Sequence, residues 1–246
     1  MTYCVGMQLD VGMVFLSDSR TNAGVDHIST FRKTFVFEQP GDRVLVLMTS
    51  GNLAVTQAMV SMLKSRLHAG DDVESLYNVP DMFAAARHVG DTLREVHQRD
   101  AEGLAAFSIE FNAAIILGGQ IKGEAPRMFT IYAAGNFIET TPETTYFQIG
   151  ESKYGKPIID RTVTRRTTMD DAVKCALISM DSTIKSNLSV GLPLDLVCVR
   201  TDEYKVALHE NIDAANPYFS ALRTRWGESL RHAFDELPKP EWLAGL

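Results

Sequence analysis

The sequence predicts an α+β fold, with two mainly antiparallel β-sheets stacked face to face and helices on the outer faces, a four-layer αββα sandwich. Three observations point there. Strands open the chain, two long helical stretches interrupt them, strands return, and a third helix and a final hairpin close the series. The hydrophobic period switches between two and about 3.6 residues at each change. No internal repeat, low-complexity tract or linker divides the 246 residues, so residues 1–246 read as one domain. The order of elements by itself is shared with α+β folds of fewer layers.

Residues 3–9 and 12–18 are mixed apolar and small, and Asp10-Val11 separates them as the turn of a hairpin. Residues 33–38 and 43–49 flank Gln39-Pro40-Gly41-Asp42, a strong turn signal. Over residues 52–68, Leu53, Met59, Val60, Leu63 and Leu67 suit one face of a helix that Gly70-Asp71-Asp72 ends. Pro80-Asp81 precedes a second helix over about 81–106. Strands follow at 112–121, 127–133, 137–140 and 145–149. Acidic residues in Met169-Asp170-Asp171 favour the start of a helix over 169–186, with Val173, Ala176, Leu177, Met180 and Ile184 as its apolar stripe. Strands at 194–200 and 204–210 lead to a helical extension over about 211–246. Its stripe, Phe219, Leu222, Trp226, Leu230 and Phe234, is expected to be buried on the core or between subunits.

A formal net charge of −7 argues against nucleic acid or an anionic membrane surface as a general partner. No apolar run approaches the roughly 20 residues of a membrane span, and no basic patch precedes an apolar stretch as in a signal peptide. Cys4, Cys175 and Cys198 are too few and scattered for a disulfide framework or zinc site, and read as buried thiols in a reducing cytoplasm. The six histidines show no helical metal spacing, so no metal is expected.

Candidate chemistry begins at Met1-Thr2. Initiator methionine is usually removed before a small residue, which would leave a free amine on a residue with a hydroxyl. That amine can take the proton from its own hydroxyl, directly or through a water, and its pKa of about 7.7–8.0 suits a base at neutral pH. A positive charge nearby would lower the amine pKa, and Lys33 is the candidate. Asp18 could supply the counter-charge, because a hairpin turning at Asp10-Val11 brings residues 18–19 opposite residues 2–3. Thr49-Ser50-Gly51-Asn52 joins a strand to a helix, and Gly51 there lets a reacting group approach backbone N–H donors. Each residue also has an ordinary reading: Thr2 a frayed terminus, Asp18 a turn residue beside Arg20, Lys33 a solvated edge charge, and Ser50 or Asn52 a helix cap.

Together these residues resemble the proteasome β-type subunits, a family of N-terminal-nucleophile hydrolases. The resemblance rests on Met-Thr-Tyr-Cys-Val-Gly at 1–6, Gly-Met-Val-Phe-Leu-Ser-Asp-Ser-Arg-Thr at 12–21, Phe-Arg-Lys-Thr at 31–34, Met-Thr-Ser-Gly at 48–51 and Leu-Pro-Leu-Asp-Leu-Val-Cys-Val at 192–199. The bacterial branch called Anbu is the best match, since the other bacterial branch typically lacks a tail like 211–246. The resemblance implies that Thr2 is the nucleophile, Asp18 the acidic partner, Lys33 the residue that tunes the amine, and Gly51 the oxyanion-hole glycine. It departs from the family at Glu151, where a serine usually follows Ile-Gly, so Ser152 becomes the supporting hydroxyl. Ser189 matches a family serine, but Ser186 stands where an aspartate is usual. Thr21, Phe31, Phe35, Thr49 and Leu53 would line the pocket for the acyl-side residue. None is charged, which implies small or apolar substrate residues.

The implied function is a threonine endopeptidase acting on peptide or unfolded-protein substrates inside a self-compartmentalised homo-oligomer, with an ATPase partner left open. The amine does the work of a cofactor, so none is implied. Two other readings stand beside it: hydrolysis of a small amide by the same machinery, and a non-catalytic assembly subunit. Subunits of the latter kind carry an N-terminal extension and lack the threonine, aspartate and lysine together.

Overall fold

The computed structural model describes residues 2–22, 28–70 and 72–243. Met1 and Asp71, both used in the sequence reading, lie outside them. Sheet one comprises β1 (Tyr3–Leu9), β2 (Gly12–Asp18), β10 (Tyr146–Gly150), β11 (Leu194–Arg200) and β12 (Val206–Ile212), in the order β10-β1-β2-β11-β12. Sheet two runs β5 (Thr34–Gln39), β6 (Arg43–Gly51), β7 (Ala113–Ile121), β8 (Arg127–Ile131), β9 (Phe137–Glu139) in that order. Every pairing is antiparallel, and β3 (Arg20–Asn22) with β4 (Ile28–Thr30) forms a separate ribbon. The helices are α1 (Leu53–Arg66), α2 (Met82–Ala106), α3 (Lys156–Thr162), α4 (Met169–Ser186) and α5 (Pro217–Asp235), followed by a 3-10 turn at Glu241–Leu243.

Strand alternation builds three apolar layers from the two sheets. Cys4, Met13 and Phe15 of sheet one face Val44, Val46, Met48 and Ile116 of sheet two. Their neighbours Tyr3, Val5, Met7, Val14 and Leu16 point the other way, under Ala176, Leu177 and Met180 of α4. On the far side, Leu45, Leu47, Ile115 and Leu117 lie under Val55, Met59 and Leu63 of α1 and Ala85, Val89 and Leu93 of α2. Both sheets are therefore covered on both faces, which is why β1 and β2 read as continuous apolar runs. The four-layer sandwich expected from the sequence is the architecture observed.

Three local differences have physical causes. The β3–β4 ribbon has three residues per strand and α3 has seven, too short to show a period. Strand β12 continues to Ile212, so the C-terminal helix starts only at Pro217, where the Asn216 side chain accepts the Phe219 N–H as a cap. The apolar stripe of α5 also divides. Phe219 is buried and Leu222 packs on the sheet-one core, whereas Leu230 is 50% and Phe234 75% exposed. Core packing therefore accounts for Phe219 and Leu222 and not for Leu230 and Phe234.

Candidate active site

The β1–β2 hairpin turns at Asp10-Val11 with Cys4 opposite Ser17, which brings Asp18 to the start of β1. There the Tyr3 N–H donates to Asp18 Oδ1 at 3.0 Å. Lys33 precedes β5, and its carbonyl accepts the Thr49 N–H of β6 at 3.0 Å. Its ammonium crosses to sheet one, donating to Asp18 Oδ1 at 2.7 Å and to the Arg20 carbonyl at 2.7 Å. The Gly191 N–H completes the Asp18 shell, 3.3 Å from Oδ2.

Asp18 is 0% exposed at the end of β2 and Lys33 4%, so Lys33 is not the solvated edge charge of its ordinary reading. Burial pushes the Asp18 carboxyl above the usual carboxylate range, while Lys33 and the Tyr3 and Gly191 N–H groups pull it back. Three N–H donors around one carboxyl match the acceptor-only pattern of the ionised form. The nearby Cys4 thiol is pushed well above its ordinary value by burial, against the pull of Lys33. It stays neutral and is no rival nucleophile.

Two glycines shape the backbone around Thr2. Gly150 has φ +81°, and a Cβ there would lie 1.9 Å from the Thr2 carbonyl oxygen, which accepts the Glu151 N–H at 2.7 Å. Gly51 has φ +108°, and a Cβ there would lie 2.3 Å from the Asn112 carbonyl oxygen. The next residue, Asn52, caps α1 by accepting the Ala54 N–H at 3.0 Å. Helix α1 thus begins beside the site, where the positive end of its dipole favours negative charge.

A cavity of about 170 Å³ opens between these elements, lined by Thr2, Thr21, Lys33, Thr49, Ser50, Gly51, Leu53 and Thr56. Thr2, Lys33 and Gly51 share it with Thr21, Thr49 and Leu53 of the expected substrate pocket. The other expected residues lie elsewhere. Phe35 points away, because Thr34 on the same strand faces sheet one, where its hydroxyl meets Ser17 Oγ at 2.7 Å. The Phe35 ring instead packs on the α1 side, with Lys64 Nζ 5.0 Å from its centroid. Phe31 is 38% exposed and outside the cavity lining. Ser152 lines a separate cavity with Tyr146, Gln148 and Lys156, because Glu151 holds the position whose N–H reaches Thr2. Ser189 is half-buried, its N–H held by Asn187 Oδ1 at 2.9 Å. It connects to Asp18 only through its loop, by way of Gly191.

Sequence reasoning missed Ser50 and Thr56 as lining residues, and the Arg20 carbonyl and Gly191 N–H as partners of the buried pair. Backbone groups leave no side-chain signal. Thr56, four residues after Asn52 in a helix that starts at the cavity, could have been found from helical spacing. Among the described residues, no group of three or more His, Cys, Asp or Glu side chains is placed to hold a metal ion.

A family model described as proteasome subunit matches residues 2–198. The chain belongs to the proteasome subunit family. Among solved structures, Anbu (ancestral beta-subunit) from Yersinia bercovieri is 53% identical, with a TM-score of 0.92 over 97% of this chain and 99% of that one. The helical assembly of the Anbu complex from Pseudomonas aeruginosa is 46% identical, with a TM-score of 0.93 over 99% and 100%. Anbu from Hyphomicrobium sp. strain MC1 is 47% identical, with a TM-score of 0.88 over 97% and 99%. These similarities put the chain in the Anbu branch. No curated protein matches it. No helix among the described residues is long and apolar enough to cross a membrane.

Proposed function

We propose that the chain is a threonine peptidase whose nucleophile is Thr2 once Met1 has been removed. The observation that carries this reading is the buried Lys33–Asp18 pair, whose ammonium lines the same cavity as Thr2. A buried ion pair is weak support for stability, and its cost is explained when a nearby reaction uses the charge.

In the proposed reaction the Thr2 amine takes the hydroxyl proton as Oγ1 attacks the substrate carbonyl carbon. Lys33 keeps the amine from holding its proton too tightly, and Asp18 keeps Lys33 charged and in one rotamer. The Gly51 backbone N–H and the positive end of the α1 dipole stabilise the negative oxygen of the tetrahedral intermediate. The C–N bond then breaks, the leaving amine takes the proton from the Thr2 ammonium, and an ester remains on Oγ1. Water, deprotonated by the same amine, attacks the ester; the C–Oγ1 bond breaks, the Thr2 ammonium returns the proton to Oγ1, and the carboxylic acid leaves.

The protein works as a homo-oligomer in this reading. The exposed Leu230 and Phe234, followed by Leu237 at 65% and Trp242 at 82% exposure, form an apolar end that a second copy would cover. The helical assembly of the similar Pseudomonas aeruginosa protein supports the same conclusion. Three free, buried cysteines fit a cytoplasmic setting. A peptide library tests the reading: wild-type protein should cleave internal peptide bonds and Thr2→Ala should not. Hydrolysis restricted to small amides would favour the small-amide alternative, and equal activity of the two proteins would remove Thr2 from the chemistry.

A further inference from the structure

We propose that Asp195 is a positioning residue that clamps the Arg32–Lys33 segment onto sheet one and so fixes where the Lys33 ammonium sits. The inference extends the proposed function, because it concerns the lysine that tunes Thr2.

Asp195 on β11 lies opposite Ser17 on β2, so the two side chains share the face turned toward sheet two. Its neighbours on that face, Val197 and Val199, are core residues between the sheets. Asp195 is a carboxylate 5% exposed where the strand pattern calls for an apolar residue. A buried carboxylate is costly unless its oxygens are matched. One oxygen meets His209 Nε2 of β12 at 2.8 Å, and the other faces Arg32 Nε at 3.7 Å.

The segment entering β5 therefore reaches sheet one through three consecutive side chains. Arg32 faces Asp195, Lys33 donates to Asp18, and Thr34 bonds Ser17. Asp18, Ser17 and Asp195 sit on neighbouring strands at one end of the sheet, with Leu194 paired to Asp18 and Asp195 to Ser17. Backbone bonds hold the same segment at two more points, from the Phe31 N–H to the Ser19 carbonyl and from the Thr49 N–H to the Lys33 carbonyl. Asp18 alone fixes the ammonium but not the backbone that carries it. The Asp195–Arg32 contact fixes the adjacent residue, and His209 holds the Asp195 carboxylate in the rotamer that reaches Arg32.

The test compares wild type with Asp195→Asn, Arg32→Gln, the double variant and Asp195→Glu. Amide hydrogen exchange at Phe31 and Thr49 reads the clamp without any need for catalysis. Exchange there should rise by about fivefold in each single variant, the upper end for a partly exposed pair, while α2 amides stay unchanged. The double variant should be no worse than either single one, because both remove the same contact. The second readout is the pH profile of Thr2 labelling by a β-lactone. A displaced Lys33 lets the Thr2 amine hold its proton more tightly, so the midpoint should move to higher pH in Asp195→Asn. Loss of the Asp195 charge acting by itself would move it to lower pH, and Asp195→Glu should restore the wild-type profile. Unchanged exchange at Phe31 and Thr49, an increase spread into α2, or a midpoint moved downward would each overturn the proposal. If wild-type Thr2 is not labelled at all, the peptidase reading falls, and the exchange comparison still decides the clamp.

Discussion

Asp18→Asn keeps the shape of the side chain and removes its charge, which isolates what the carboxylate does. In the native site Asp18 accepts from Tyr3 N, Lys33 Nζ and Gly191 N at 3.0, 2.7 and 3.3 Å. Asparagine can keep the first two on its carbonyl oxygen, but its amide then faces the Gly191 N–H, donor against donor. The larger effect falls on Lys33, whose side chain is 5% exposed and loses its carboxylate partner. Breaking a buried ion pair from one side costs about 3–5 kcal/mol. In a chain of this size that lowers the melting temperature on the order of 10 °C. Peptide hydrolysis should fall by roughly 10²–10⁴-fold, the usual worth of a positioned proton-transfer group. Asp18→Asn combined with Lys33→Met removes both charges and keeps the lysine stem. It should regain most of the lost stability while staying inactive, far less harmful than the product of the two single changes. Thermal melts and hydrolysis assays on the same assembled preparations separate the two effects. A wild-type melt for Asp18→Asn, or a double variant less stable than Asp18→Asn, would refute this account of the pair.

Gly51→Ala should destabilise the protein by about 1–3 kcal/mol, because alanine is strained at φ +108° and its Cβ would meet the Asn112 carbonyl. It should also abolish hydrolysis. Chemical denaturation and an activity assay check this, and a stable, active variant would contradict it. Leu230→Glu with Phe234→Glu changes two residues exposed in the isolated chain, so fold stability should stay within about 0.5 kcal/mol. Sedimentation velocity should nevertheless show a smaller particle, and an unchanged one would mean that this face is not an interface. The small, hydroxyl-lined cavity predicts cleavage after Ala, Ser or Val in a peptide library. Preferred cleavage after Arg, Lys, Glu or large aromatic residues would show that the substrate residue binds elsewhere.

Long, regular elements were legible in the sequence because both sheets are covered on both faces. Strands β1, β2 and β11 and helix α4 appear with the boundaries read from their apolar patterns. The hairpin at Asp10-Val11 also brought Asp18 to the start of β1 in the correct register, although alternation alone left its orientation open. The site was legible where sequence order brings candidate residues to one cavity, as with Thr2, Lys33 and Gly51. It was not legible where strand parity decides the face. Phe35 has the size and polarity expected of a pocket residue, but it alternates with Thr34, which bonds Ser17 and sends Phe35 to the α1 side. Glu151 likewise holds the place beside Thr2 where the family usually has a serine, and Ser152, one residue later, lines another cavity. The α5 stripe has one period throughout, and no pattern in the sequence separates Phe219, which reaches the core, from Phe234, which does not.

The most direct test of the central claim is covalent labelling of the purified, assembled protein by an epoxyketone or β-lactone, read by intact mass and by peptide mapping. The proposed mechanism predicts a mature chain beginning at Thr2, with one adduct per chain on that residue. Thr2→Ala should take up no label, Thr2→Ser should be labelled more slowly, and Lys33→Ala should react at least roughly 10²-fold more slowly. A fully active protein that retains Met1, or an adduct on any residue other than Thr2, would contradict it.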